Sequence, residues 1–114
     1  MAIRTMTRVS SVGDHDGKAW EDEVSLAAVA NSDPIMIPAG ITKISVCLSM
    51  SGGGKGKIQA TTDKVNTVIN GTPVWMDWTL GEVAVNAQDS AEPCTAIRLA
   101  QTFAGATKLT VRAQ

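Results

Sequence analysis

Four groups of residues in this chain have the types or spacing that chemistry uses. Asp14-His15-Asp16 sets the only histidine between two carboxylates, which are metal-ligand types. A site of that kind needs three or four converging groups. Adjacent residues of an extended loop point apart, so the triplet reads as a structural loop. Ser51-Gly52-Gly53-Gly54-Lys55-Gly56-Lys57 has the glycines and lysines of a phosphate loop. Ser51 stands where the first glycine belongs, however, Ile58 replaces the hydroxyl residue, and strand follows where a helix is required. The stretch reads as a solvated hairpin tip whose lysines resist edge pairing. Cys47 and Cys94 belong to no Cys-x-x-Cys or Cys/His pattern and read as small buried hydrophobes within strands. No base is paired with a nucleophile anywhere, and the serines lie in strands, so no triad signature is present. The expectation is a protein that is not an enzyme, with no cofactor and no metal.

Trp75 and Asp77 form the fourth group. They share one side of an alternating segment, and a flat ring beside a carboxylate suits stacking on a sugar. The same exposed tryptophan also suits a subunit contact, because aromatic residues concentrate at interface centres.

The elements that must position these groups come from alternation. Thr72 to Val85 carries two of the three tryptophans, with Val74, Met76, Trp78 and Leu80 on one side and Trp75, Asp77 and Thr79 on the other. That period of two predicts a strand, opened by Pro73 after the Asn70-Gly71 turn. It reads as the centre of the fold. Ile41 to Met50 alternates in the same way, with Ile44, Val46, Leu48 and Met50 together. Ile58–Thr62, Cys94–Phe103 and Thr107–Gln114 also read as strands. Pro34–Pro38 reads as a short edge strand between prolines, and Lys64–Ile69 as a single helical turn. Val24–Ala30 suits either a short helix or a strand. The predicted core is Ile44, Val46, Leu48, Met76, Trp78, Ile97, Leu99, Leu109 and Val111.

About seven or eight short strands, separated by Gly, Pro or Asn, predict an all-β fold. The architecture expected is a small antiparallel β-sandwich, jelly-roll or Ig-like, with an extended N-terminal segment. The chain divides into an N-terminal arm with an acidic loop, 1–33, and a sandwich domain, 34–114. Ala2–Val12 alternates with a polar-basic side and reads as a strand or an arm reaching another subunit. Such an arm would add to a neighbour's sheet edge. The residues expected to meet a partner are Ile3, Arg4, Met6, Arg8, Trp20, Glu21, Asp22, Glu23 and Trp75.

At 114 residues and a formal net charge of −1, the chain is one core's worth of sequence, with no charge argument for nucleic acid. No apolar run reaches the roughly 20 residues of a membrane span. With no signal peptide visible, synthesis is expected in a reducing cytoplasm, where the two thiols stay free.

The run IPAGITKISVCLSMSGGGKGKIQATTDKVNTVINGTPVWMDWTLGEV, followed by CTAIRL and KLTVRAQ, resembles small virion structural proteins of tailed bacteriophages and prophages. The resemblance covers about residues 34–114 and rests on the proline-glycine turn, the glycine-rich segment, the Val-Trp-x-Asp-Trp motif and the closing strands. It implies a small β-domain of the phage particle, most like a capsid decoration (cement) protein. Such proteins bind the outer surface of the assembled major capsid protein as oligomers, often trimers. A receptor- or glycan-binding tip module and a head–tail or tail subunit are the alternatives the resemblance leaves open.

Overall fold

The computed structural model describes residues 3–8, 19–91 and 93–114. Asp14-His15-Asp16 lies outside the described residues. Two sheets stack on one apolar core, giving an all-β sandwich. The strands are β1 (Arg4–Thr5), β2 (Thr7–Arg8), β3 (Trp20–Leu26), β4 (Ala30–Asn31), β5 (Ile35–Met36), β6 (Ile44–Ser51), β7 (Lys55–Thr61), β8 (Met76–Asp77), β9 (Ala87–Ala91), β10 (Ala96–Phe103) and β11 (Ala106–Ala113). One short helix, α1 (Val65–Asn70), sits where a single turn was expected. The first sheet runs β1-β5-β10-β7-β8, with β4 also pairing with β10. The second runs β2-β3-β11-β6-β9. Every pairing is antiparallel except that of β1 with β5.

The long strands are those with the cleanest alternation. In β6, Ile44, Val46 and Leu48 are buried, and in β11 Leu109, Val111 and Ala113 are, while their neighbours face out. Ile58 of β7 and Ile97 and Leu99 of β10 complete the centre from the opposite sheet. Seven of the nine predicted core residues are buried. Trp78 is half-buried against the core, and Met76 is 65% exposed. Met76 opposes Ala60 from a two-residue edge strand, so no second sheet covers it. The segment expected to be central is therefore peripheral, and β10 and β11 hold the middle of their sheets instead. Pro34–Pro38 is not an edge either, because β5 lies between β1 and β10.

The glycine-rich segment departs from a hairpin. It joins β6 of one sheet to β7 of the other, just as Ala104-Gly105 joins β10 to β11. These two corners press together. A Cβ built on Gly105, whose φ is +148°, would stand 2.3 Å from the Gly54 nitrogen. Inside the corner, Gln101 and Thr107 are each 2% exposed. The Gln101 amide donates to the Phe103 and Gly105 carbonyls at 2.8 and 2.9 Å, and Thr107 Oγ1 donates to Gln101 Oε1 at 2.8 Å. Burying these two polar side chains is tolerable because their hydrogen bonds are made.

Of the residues assigned to an arm and acidic loop, those described, 3–8 and 19–33, are in the sandwich. β3 pairs with β11 along its whole length. Its alternation puts Val24 in the core, and Trp20 and Leu26 pack against that core, while Glu21, Glu23 and Ser25 face solvent. The N-terminal strands bridge the sheets, since β1 joins the first and β2 the second. Met6 lies between them, buried at 6% exposure.

Candidate functional site

The open flanks of the sandwich come first, because they decide what surface is left. On one flank, Asp22 opposes Val111 on the inward side of β3. Arg4, on the edge of the other sheet, donates to both its oxygens, from Nε at 2.7 Å and Nη2 at 2.9 Å. Burial alone would raise the Asp22 pKa. The Arg4 hydrogen bonds, the Glu23 backbone N–H and the Arg4 charge outweigh it, and the carboxyl sits below its ordinary value. On the other flank, Asp89 opposes Val46 on the inward side of β9 and accepts the Trp78 indole N–H at 2.7 Å. Inward-facing charges at sheet margins deter pairing with another chain's edge; Asp89 is on the edge strand β9, Asp22 lies on β3 next to the stretch that β2 covers, and each is satisfied by the opposite sheet. An arm adding itself to a neighbour's edge would have to displace these bridges.

What remains is the two outer faces and the loops. On the outer face of the first sheet, register brings Arg98, Gln59 and Asp77 into one row across β10, β7 and β8. The Arg98 guanidinium stands over the Trp75 ring, 4.4 Å from its centroid. Arg98 Nε donates to Gln59 Oε1 at 2.8 Å, and Gln59 Nε2 donates to Asp77 Oδ1 at 2.9 Å. Lys57 Nζ closes the row at 3.1 Å from Asp77 Oδ2. Desolvation draws the Arg98 pKa below its ordinary value. The hydrogen bonds from Gln59, then Lys57, lower that of Asp77. A second ring–cation pair lies further along the same sheet, with Lys55 Nζ 4.4 Å from the centroid of Phe103.

Chemically, this row is a surface whose side chains are held in place by stacking and hydrogen bonds. Asp77 is held ionised and already accepts two donors, so it is badly placed for acid–base work. Arg98 is locked by stacking and by Gln59. Its Nε is engaged, and its terminal nitrogens hold no hydrogen bond among the described residues. A fixed guanidinium fork suits a carboxylate or carbonyl partner. Because Arg98 covers one side of the Trp75 ring, that side is closed to a sugar.

The second sheet's outer face differs. Ser45, Cys47, Thr110 and Gln88 lie on it beside Arg112, and a groove of about 410 Å³ crosses them. A larger groove, about 500 Å³, lies at the corner end between Leu26, Met50, Asn86 and Lys108. Cys47 faces outward, half-buried, rather than into the core, and Cys94 lies in a connection before β10. Burial pushes the Cys94 thiol up to about 11, so it is a poor nucleophile at neutral pH. Among the described residues, no three His, Cys, Asp or Glu side chains converge, and no helix is long and apolar enough to cross a membrane.

The residues expected to meet a partner scatter. Met6 is in the core and Ile3 is partly buried. Arg4 and Asp22 are spent on each other. Trp20 packs against the core, and Arg8, Glu21 and Glu23 are exposed. Trp75 belongs to the opposite face, in company that sequence reasoning missed: Arg98, Gln59 and Lys57. Alternation within Cys94–Phe103 already put Arg98 outward, but its neighbours depend on strand pairing.

No protein-family model matches the chain, and no curated protein matches it. Among solved structures, it is similar to a Bacillus endospore appendage protein, described as one of a novel family of disulfide-linked pili. Identity is 19%, the TM-score is 0.46, and the match covers 95% of this chain and 98% of that one. At that score the likeness carries no argument about function.

Proposed function

We propose that this chain is a non-enzymatic virion structural protein, a decoration (cement) protein that binds the outer surface of an assembled major capsid protein as a homo-oligomer. The sequence resemblance supplies the class. The observation that carries the adhesive part is the Trp75–Arg98 stack, fixed by Gln59 on an exposed sheet face. Tryptophan and arginine dominate the energetics of protein contacts when their geometry is set in advance. With both flanks bridged by Arg4–Asp22 and Trp78–Asp89, docking through a face is favoured over docking through a strand edge. Localisation on the virion's outer capsid surface follows from the reading.

The glycan-binding alternative loses ground on one point, the covered side of Trp75. A head–tail or tail subunit has the same physical requirements as a cement protein and differs in copy number per particle. The test is co-sedimentation of purified protein with assembled capsids from the phage or prophage that encodes it. Saturable binding weakened by Trp75→Ala and Arg98→Ala supports the reading. Absence of binding, or a glycan-array signal lost in Trp75→Ala, rejects it.

A further inference from the structure

We propose that the β7–β10 face receives acidic side chains, one carboxylate seated end-on against Arg98 and a second against Lys55. This rests on the capsid reading given above and names what the capsid surface contributes to the contact. Arg98 and Lys55 are the cations of this face that sit on aromatic rings, each 4.4 Å from the centroid, of Trp75 and of Phe103 respectively. Register puts Arg98 in the Gln59 row, and Lys55 is the second outward position further along β7. Four residues of strand separate the two rows, about 13 Å.

The surroundings of Arg98 are what call for a carboxylate. Its Nε is committed to Gln59 Oε1 at 2.8 Å, which leaves the end-on fork of its two terminal nitrogens without a hydrogen bond among the described residues. Desolvation draws its pKa down, and no acid among the described residues acts to raise it. Arg4 shows the contrast, since its hydrogen bond to Asp22 lifts its pKa. Acids bordering the face are engaged elsewhere: Asp77 with Gln59 and Lys57, and Asp63 with the Val74 backbone N–H at 2.7 Å. Glu82, beside the Gly56–Val83 bridge, and Lys55 both stand outside the ion pairs found among the described residues.

Covering a guanidinium that has already lost part of its water costs free energy unless the partner returns both hydrogen bonds and opposite charge. A carbonyl or a hydroxyl returns only the first. A carboxylate returns both, and its two oxygens match the paired N–H groups of the fork. A phosphate chain fits less well. Nucleic acid is held through several phosphates at once, whereas here Asp77 stands in the row with Arg98 and repels them. An extended acidic segment, with carboxylates four residues apart on one side, has the spacing of the two ring-seated cations.

The test is nuclear magnetic resonance titration of the isotope-labelled full chain with octaglutamate at low ionic strength. Expected are shifts of the Arg98 Nε–H and the Trp75 indole N–H that fade as salt screens the charges. Arg98→Gln is expected to weaken binding by about tenfold or more, and Lys55→Gln to weaken it as well. Arg98→Lys keeps the charge and loses the fork, so it is expected to bind less tightly than the wild type. Arg112→Gln removes a cation from the outer face of the other sheet and is expected to bind as the wild type does. Circular dichroism checks that each variant is folded, and Arg98→Lys with Lys55→Gln carries the comparison if Arg98→Gln is not. Octaglutamate that leaves both signals unmoved overturns the proposal, as do equal affinities of wild type and Arg98→Gln, or tighter binding of an oligothymidylate of matched charge. Capsid co-sedimentation is read separately. Capsids that bind the protein when octaglutamate does not would keep the capsid reading and reject this one, and the reverse result would uphold this one and reject the capsid reading alone.

Discussion

The Trp78 indole donates its N–H to Asp89 Oδ2 at 2.7 Å, from the edge of one sheet to the edge of the other. Together with the Arg4–Asp22 pair on the opposite flank, it closes a sandwich whose outermost strands on that side, β8 and β9, hold only two and five residues. Asp89 faces inward; its Oδ1 accepts the Ser90 backbone N–H at 2.8 Å, and its Oδ2 takes the Trp78 donor from the other sheet. Trp78→Phe keeps most of the packing and removes the donor. It is expected to lower unfolding stability by about 1–3 kcal/mol. Trp78→Ala removes the packing too and is expected to cost about 3–5 kcal/mol. Urea denaturation followed by far-ultraviolet circular dichroism distinguishes the two, and equal costs would mean the hydrogen bond contributes nothing.

The Arg4–Asp22 pair gives a pH dependence whose sign is fixed. The folded-state pKa of Asp22 lies below its ordinary value. The pair's contribution is therefore fully present above the unfolded carboxylate value, about 3.9. It is lost as pH falls through the lower folded value. Arg4→Ala and Asp22→Asn are each expected to reduce stability at neutral pH by about 1 kcal/mol, since Arg4 is well exposed. The double variant should cost little more than either single one. Additive effects in that cycle would show that the two side chains do not act together.

Deleting residues 2–8 removes β1, β2, the buried Met6 and the Arg4 donor at once. A free arm would leave stability untouched. The sandwich described here is expected instead to lose about 3 kcal/mol or more, from an emptied core site and an unpaired inward carboxylate. Thermal melts of full-length and truncated protein check this, and matching midpoints would return these residues to the status of an arm.

The crossed corners make Gly105 the least replaceable residue among those compared. Gly105→Ala puts a methyl 2.3 Å from the Gly54 nitrogen and forces the two corners apart. A loss of about 3 kcal/mol or more, or failure to fold, is expected. Gly53→Ala, at φ +80° with nothing within 4 Å of the added carbon, is expected to cost only about 1–2 kcal/mol. Solubility and denaturation midpoints of the two variants settle the ranking, and a tolerated Gly105→Ala would contradict the corner geometry.

The long strands were legible because alternation over eight residues, as in Ile44–Ser51 and Ala106–Ala113, reports a half-buried sheet directly. Alternation in Val74–Leu80 looked as good and misled. A period of two says that a segment is extended, and it carries no information on whether a second sheet lies over it. The glycine-rich segment was readable as a turn, but which sheet each of its arms joins depends on pairing with β10 and β11, far away in sequence. In the acidic block, three consecutive acids hid a strand, because inward Asp22 broke the apolar series that Trp20, Val24 and Leu26 otherwise form. The Trp75–Arg98 row was invisible for the same long-range reason. Its members come from β7, β10, β8 and the segment entering β8, and only register assembles them.

The central claim is that this sandwich adheres to an assembled protein surface by a preorganised face. Cryo-electron microscopy of capsids saturated with the purified protein tests it most directly. The expected result is density on the capsid exterior with the β7–β10 face engaged and Trp75 and Arg98 at the contact. Capsids left bare at saturating protein would contradict it, as would density whose contact is a strand edge.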